Sequence, residues 1–148
     1  MPKYWIITVS EENWSVIVGN NIYGAPEAGG VKPAHKLIRP GDVILFYVMK
    51  RGSKRLGGKF VGAFKVISEW YRENKPLWPD EKREGKLKYP WRIKIEPIKL
   101  GVAEFEELIP ILSFIRKKDR AYAYLIGTPA LRRPIPEKDA QIIINALK

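Results

Sequence analysis

Cysteine is absent from the 148 residues, which excludes disulfides, thiolate metal sites and cysteine nucleophiles. Histidine is almost as scarce. The single His35 has no serine or acid at a triad-like spacing, and a lone loop imidazole of this kind reads as a hydrogen-bonding surface residue. The acidic residues are not grouped at a ligand spacing, so neither a metal nor another cofactor is expected. No apolar run approaches the ~20 residues that a membrane-spanning helix needs. The opening MPKYWIITV lacks the apolar stretch and small-residue cleavage site of a signal peptide and reads as a first strand. A GxxxxGK[ST] phosphate loop is also missing: GGKFVG at 57–62 falls between a turn and a strand, not before a helix. The expectation is a soluble, cytoplasmic chain without catalytic machinery. A single Gln, no Cys and abundant Lys and Ile give it a thermophile-like composition.

What the chain has in excess is positive charge, +11 in all, and it is unevenly placed. Residues 1–31 carry one basic and three acidic side chains, whereas residues 32–60 carry eight basic and one acidic. The surplus lies in HKLIRPGD and in the turn KRGSKRLGGK. A concentrated basic surface favours a polyanion, nucleic acid first.

Local signals outline an α+β chain read as one domain over residues 1–148. Tyr4–Val9 is a β-branched run, a strand. Ser10 caps a helix that has Glu11 and Glu12 in its first turn and Gly19 past its end. Residues 20–31, dense in Gly, Asn and Pro, read as a loop. Val43–Met49 is apolar without alternation, a central strand covered on both faces. A hairpin leads to a partner over Lys59–Ser68. Trp91–Pro97 alternates, with Trp91, Ile93 and Ile95 inward and Arg92, Lys94 and Glu96 outward. A last helix opens at Pro136 and carries its core stripe on Ala140, Ile143, Ile144 and Leu147. Together these make a mainly antiparallel, curved sheet with helices at its ends. The acidic pairs Glu11/Glu12 and Glu106/Glu107 read as helix-end charges.

The stretch KPLWPDEKREGKLKYPW, residues 75–91, is charged and proline-punctuated yet holds three large aromatics. Trp78, clamped between Leu77 and Pro79, reads either as a core tryptophan reached from a loop or as the partner of Tyr23 in the other Gly/Pro-rich loop. A flat ring on each of two loops, inside a basic rim, is what a flipped-out base requires, since base–aromatic stacking contributes ~1–3 kcal/mol per base. Ser10 is both the helix cap and a candidate contact to the base edge. Tyr47, at the end of VILFYVM, reads first as a core residue and second as the pocket floor. Arg39, Lys50, Arg51, Lys54 and Arg55 are the candidates for the flanking phosphates. Trp14, Trp70 and Trp91 are read as packing residues.

Taken together, YWIITVSEENW, NNIYGAPE, LIRPGDVILFYV, FVGAFKVISEWY, the PLWP loop and YPWRIKIEP resemble an EVE domain over essentially the whole chain. The resemblance implies a PUA-like, curved, barrel-like sheet flanked by helices, related to the YTH readers of N6-methyladenine. It also implies a pocket for a nucleobase, often a modified one, in a binding module rather than a catalyst. YTH readers place one cage residue after the first helix and another after the hairpin, positions matched here by Tyr23 and Trp78. The third wall falls on Leu87, the polar base contacts near Thr8, Val9 and Ser10, and backbone-contacting cations on Arg132 or Arg133. Tyr replaces Trp at position 23, which makes the cage shallower or adds a hydroxyl donor. The partner implied is RNA or DNA carrying a modified base. Two rival readings use the same residues: an enzyme or substrate-binding subunit of an RNA-modification system, and a small-molecule or protein-interaction module with a merely solubilising charge.

Overall fold

The computed structural model describes residues 2–27, 33–125 and 133–148. Its centre is a six-stranded sheet in the order β1-β3-β4-β6-β2, with β5 also paired to β6. The strands are β1 (Tyr4–Val9), β2 (Ile22–Ala25), β3 (Val43–Val48), β4 (Lys59–Val66), β5 (Tyr71–Arg72) and β6 (Trp91–Glu104). Among the described residues, only the β1–β3 pair is parallel. The ladder slips between Phe46 and Tyr47 on β3 and at two places along β4, and such irregularities bend a sheet. The result is a curled half-barrel flanked by helices.

Among the described residues the helices are α1 (Glu11–Asn20), α2 (Ala34–Leu37), α3 (Pro79–Glu84), α4 (Phe105–Leu108) and α5 (Glu137–Ala146). Two 3₁₀ segments, Ile109–Ile111 and Lys118–Leu125, connect α4 towards α5. Helix α1 runs past Gly19 to Asn20 and is capped by Asn21, which takes the left-handed conformation (φ 55°, ψ 42°). A short polar side chain tolerates that backbone, so glycine was not needed there.

Every residue of β3 is buried, as its unbroken apolar run requires. Val43, Leu45 and Tyr47 enter a core with Phe60, Phe105 and Ile143. Ile44, Phe46 and Val48 enter the opposite one, with Trp14, Tyr23, Trp78 and Ile95. Two buried carboxylates tie distant segments together. Asp42 accepts the backbone N–H of Lys3 and of Arg39 and the indole N–H of Trp5, each at 3.0 Å. Asp139 accepts the N–H of Ser113 and of Phe114 at 2.9 Å.

Residues 22–25, expected within a loop, form an edge strand on Trp91–Lys94. Strand β6 runs to Glu104, well beyond Pro97. Its two halves have different partners: β2 and β5 flank residues 91–94, and β4 pairs with residues 95–104. This division sets Gly24 against the ring of Trp78, with Tyr23 beside it in the second core.

Candidate nucleobase pocket

Glu81 explains how a charged loop holds buried aromatics. Its carboxylate is fully buried. Oε1 accepts the N–H of Leu77 at 2.8 Å and of Trp78 at 3.1 Å, while Oε2 accepts those of Lys88 and Tyr89, both at 2.9 Å. Residues 77–89 are thereby drawn into one loop around α3. Burial opposes the charge on Glu81, but the four backbone donors outweigh it and hold the carboxyl below its usual range. Arg92 stands 3.9 Å from Glu81 and donates to the carbonyls of Tyr89 and Lys75. Its guanidinium lies 5.0 Å over the Trp78 ring. These contacts correct the expectation that Arg92 points to solvent: it is buried.

Trp78 is therefore a core residue as well as a wall. It caps α3 and is only 1% exposed. Its six-membered ring lies against the backbone of Gly24, and Tyr89 meets it edge-on at 5.4 Å. Tyr23, on β2 rather than a loop, is 7% exposed and packs against Phe46 at 5.8 Å and Trp70 at 6.2 Å. Burial raises its phenol pKa.

Both residues line a cavity of about 220 Å³ at the start of α1. Thr8, Val9 and Ser10 line it from the end of β1, and Asn13 and Ile17 from α1. Tyr23, Gly24, Trp78, Asp80 and Tyr89 complete the lining, together with Met49 at the foot of the basic turn. Drug-sized ligands occupy pockets of roughly 300 Å³ upward, so this volume suits something smaller, on the scale of one base.

Five of the expected pocket residues, Thr8, Val9, Ser10, Tyr23 and Trp78, are thus brought to one cavity. Leu87 is not among its walls: it sits 38% exposed in the stretch after α3. Tyr47 belongs to the other core, packed on Phe60 and Phe105, with its phenol pushed up to about 12 by burial. The two-residue period of β3 sends Phe46, not Tyr47, towards Tyr23. Trp14 packs on Phe46 and Phe64, and Trp91 stacks on His35 at 4.1 Å.

The polar wall contains residues that the sequence pattern did not single out. Ser10 Oγ accepts the N–H of Asn13 at 3.2 Å, which leaves its hydroxyl proton available. The Thr8 hydroxyl is already donated to the Leu125 carbonyl. Tyr89 donates to Asp80 Oδ2 at 2.6 Å, and the Asn13 amide nitrogen lies 3.4 Å from the same oxygen. Burial works against the Asp80 charge, yet Tyr89, Asn13 and Lys88 together hold its carboxyl below the usual range. The clues in the sequence were Asn13 one turn after the Ser10 cap and Asp80 two residues after Trp78.

The basic turn is attached to the same site. Glu11, more than a helix-end charge, accepts the backbone N–H of Lys54 at 3.1 Å, of Arg55 at 2.9 Å and of Leu56. Met49 donates to the Val9 carbonyl at 3.0 Å. The exposed Arg51, Lys54 and Arg55 side chains form no ion pair among the described residues, and the same holds for Arg39. Lys50 is turned away, 3.5 Å from Glu106 and 4.5 Å over the Tyr122 ring. Arg133 is exposed, and Arg132 lies outside the described residues.

The family model described as the EVE domain matches residues 3–146. A UPF0310 protein of Saccharolobus solfataricus is 39% identical over 146 residues, covering 98% of this chain and 95% of the relative. A UPF0310 protein of Pyrococcus abyssi is 36% identical over 147 residues, covering 98% and 99%. Among solved structures, the fold is similar to the YTH domain of Zygosaccharomyces rouxii MRB1 in complex with N6-methyladenosine RNA. That match has a TM-score of 0.61 at 18% identity, over 97% of this chain and 85% of the other. It is also similar to the Toxoplasma CPSF4 YTH domain in complex with an m6A-modified RNA, with a TM-score of 0.65 at 14% identity, over 99% and 91%.

Proposed function

Because the chain belongs to the EVE domain family, we propose that it reads nucleic acid by taking one modified base into the cavity between Tyr23 and Trp78. The observation that carries this reading is the cavity itself: a base-sized recess lined by Tyr23, Trp78 and Tyr89, beside an exposed basic turn. The sign of the charges agrees with that division. Asp80, held ionised in the cavity wall, repels a phosphate but accepts an uncharged ring. Arg51, Lys54 and Arg55 offer the phosphates a place outside. The YTH domains with this fold were solved with N6-methyladenosine RNA, which supports a methylated base as the inserted group. The work done is recognition. A buried methyl adds roughly 0.8 kcal/mol by transfer out of water, so edge contacts must supply the rest of the discrimination.

A panel of short single-stranded RNA and DNA, identical except for one central base that is plain or methylated, tests this reading. The expected result is that one methylated base raises the melting temperature and binds at least ten-fold tighter than its plain form. Equal binding across the panel contradicts it.

A further inference from the structure

Asn13 carries an unexplained polar atom. Its amide oxygen is buried and has no hydrogen-bond partner among the described residues, although the side chain lines the cavity. Buried acceptors are nearly always paired, and an exception calls for a cause. The amide cannot relieve this by turning over. Its nitrogen faces Asp80 Oδ2 at 3.4 Å and the Tyr89 hydroxyl oxygen at 3.5 Å. Tyr89 gives its proton to Asp80, so neither neighbour has a hydrogen to offer an amide oxygen. A reversed Asn13 would set an acceptor against a carboxylate. Asp80 is further anchored at its other oxygen by the Glu81 N–H at 2.9 Å. One turn away, Ser10 retains a hydroxyl proton.

We propose that the Asn13 amide oxygen, held in place by Asp80, is a specificity-determining acceptor for an amino N–H on the inserted base, while Ser10 donates to the ring nitrogen beside it. This rests on the base-insertion reading and narrows it. The base is of the adenine or cytosine type, plain or singly methylated on the amino group. A base with that amino group doubly methylated offers no hydrogen, and uracil presents an oxygen where the amino group would be. Asp80 acts here as a positioning residue.

The test uses one single-stranded RNA with N6-methyladenine, N6,N6-dimethyladenine, cytosine, uracil or no base at its central position. The full chain is expected to bind the monomethyl form at least ten-fold tighter than the dimethyl form, and cytosine tighter than uracil. Asn13→Ala should abolish both preferences, and Asp80→Asn, which lets the amide turn over, should shrink them. Each variant's fold is checked by its melting curve. A monomethyl preference that survives in Asn13→Ala would reflect crowding by other walls and overturns the assignment. So does a wild-type protein that binds bases in preference to the abasic strand but ignores the amino hydrogen. Binding no tighter than to the abasic strand overturns base insertion as a whole, and this assignment with it.

Discussion

The indole of Trp78 lies where a side chain at Gly24 would be. A Cβ added to Gly24 would come within 2.3 Å of Cη2 and 2.6 Å of Cζ3 of that ring. Strand β2 can therefore pass under Trp78 only with glycine at this point, and Tyr23 next to it shares the cavity. Gly24→Ala should force the indole to shift. Overpacking a core typically costs about 1–3 kcal/mol, and the displaced ring should also lower base affinity at least ten-fold. Chemical denaturation and binding measured on the same variant check both halves. A variant with unchanged stability would show the indole to be loosely held.

Trp78→Ala separates two roles that the sequence alone kept apart. A loop ring serving only as a pocket wall could be removed without affecting the melting temperature. A residue only 1% exposed, bonded through its backbone N–H to Glu81 and covered by Arg92, leaves a hole, and truncations of this kind cost about 3–5 kcal/mol. The expected outcome is a large stability loss together with lost binding. Trp78→Phe, which keeps a flat ring, should recover much of the stability and only part of the affinity.

Acid should unfold the protein partly through Glu81. Its folded-state pKa is depressed, with burial opposed and outweighed by four backbone N–H donors. The stabilisation it provides is therefore present above its unfolded value of about 4.3 and is lost as pH falls through the lower folded value. Removing the carboxylate altogether, by Glu81→Ala, should cost about 3–5 kcal/mol at neutral pH and should flatten this part of the acid limb. Melting temperatures of both proteins across the acid range check the sign. A wild-type stability that rose on acidification through this range would contradict it.

The basic turn predicts a salt effect without a stability effect. Arg51, Lys54 and Arg55 are exposed, so replacing each with Gln should leave the melting temperature almost unchanged. Every cation that meets a phosphate should, once neutralised, reduce the slope of log affinity against log salt by ~0.7 for a single strand. Glu11→Ala should weaken binding while retaining every cation, because it frees the turn from α1. A salt slope identical to wild type in the triple variant would move the phosphates elsewhere.

Much of this architecture was legible in the sequence, for identifiable reasons. The apolar run of β3, the Ser10 cap and the alternation after Trp91 are local signals, and they indicate the strands, α1 and a curved sheet. Tyr23, Trp78 and the residues after β1 line one cavity. What could not be read depended on contacts distant in sequence. Strand β2 exists because Trp91–Lys94 offers it an edge, and Arg92 is buried because Glu81 and the carbonyl groups of Lys75 and Tyr89 meet it. Tyr47 could be read as core or as pocket floor, because a doubly covered strand has no polar face to set its register, and it enters the other core. Asn13, Asp80 and Tyr89 are each ordinary residues for their places, and only their convergence makes a polar wall.

The central claim is that a single base, and not the backbone alone, occupies the cavity beside Tyr23 and Trp78. The most direct measurement compares the affinity for one single-stranded oligonucleotide carrying a methylated central base with that for the same strand lacking only that base. A drop of at least ten-fold in affinity is predicted, in line with one or two stacking interactions of ~1–3 kcal/mol each, and the difference should vanish in Gly24→Ala. Equal affinity for the two strands would contradict the account.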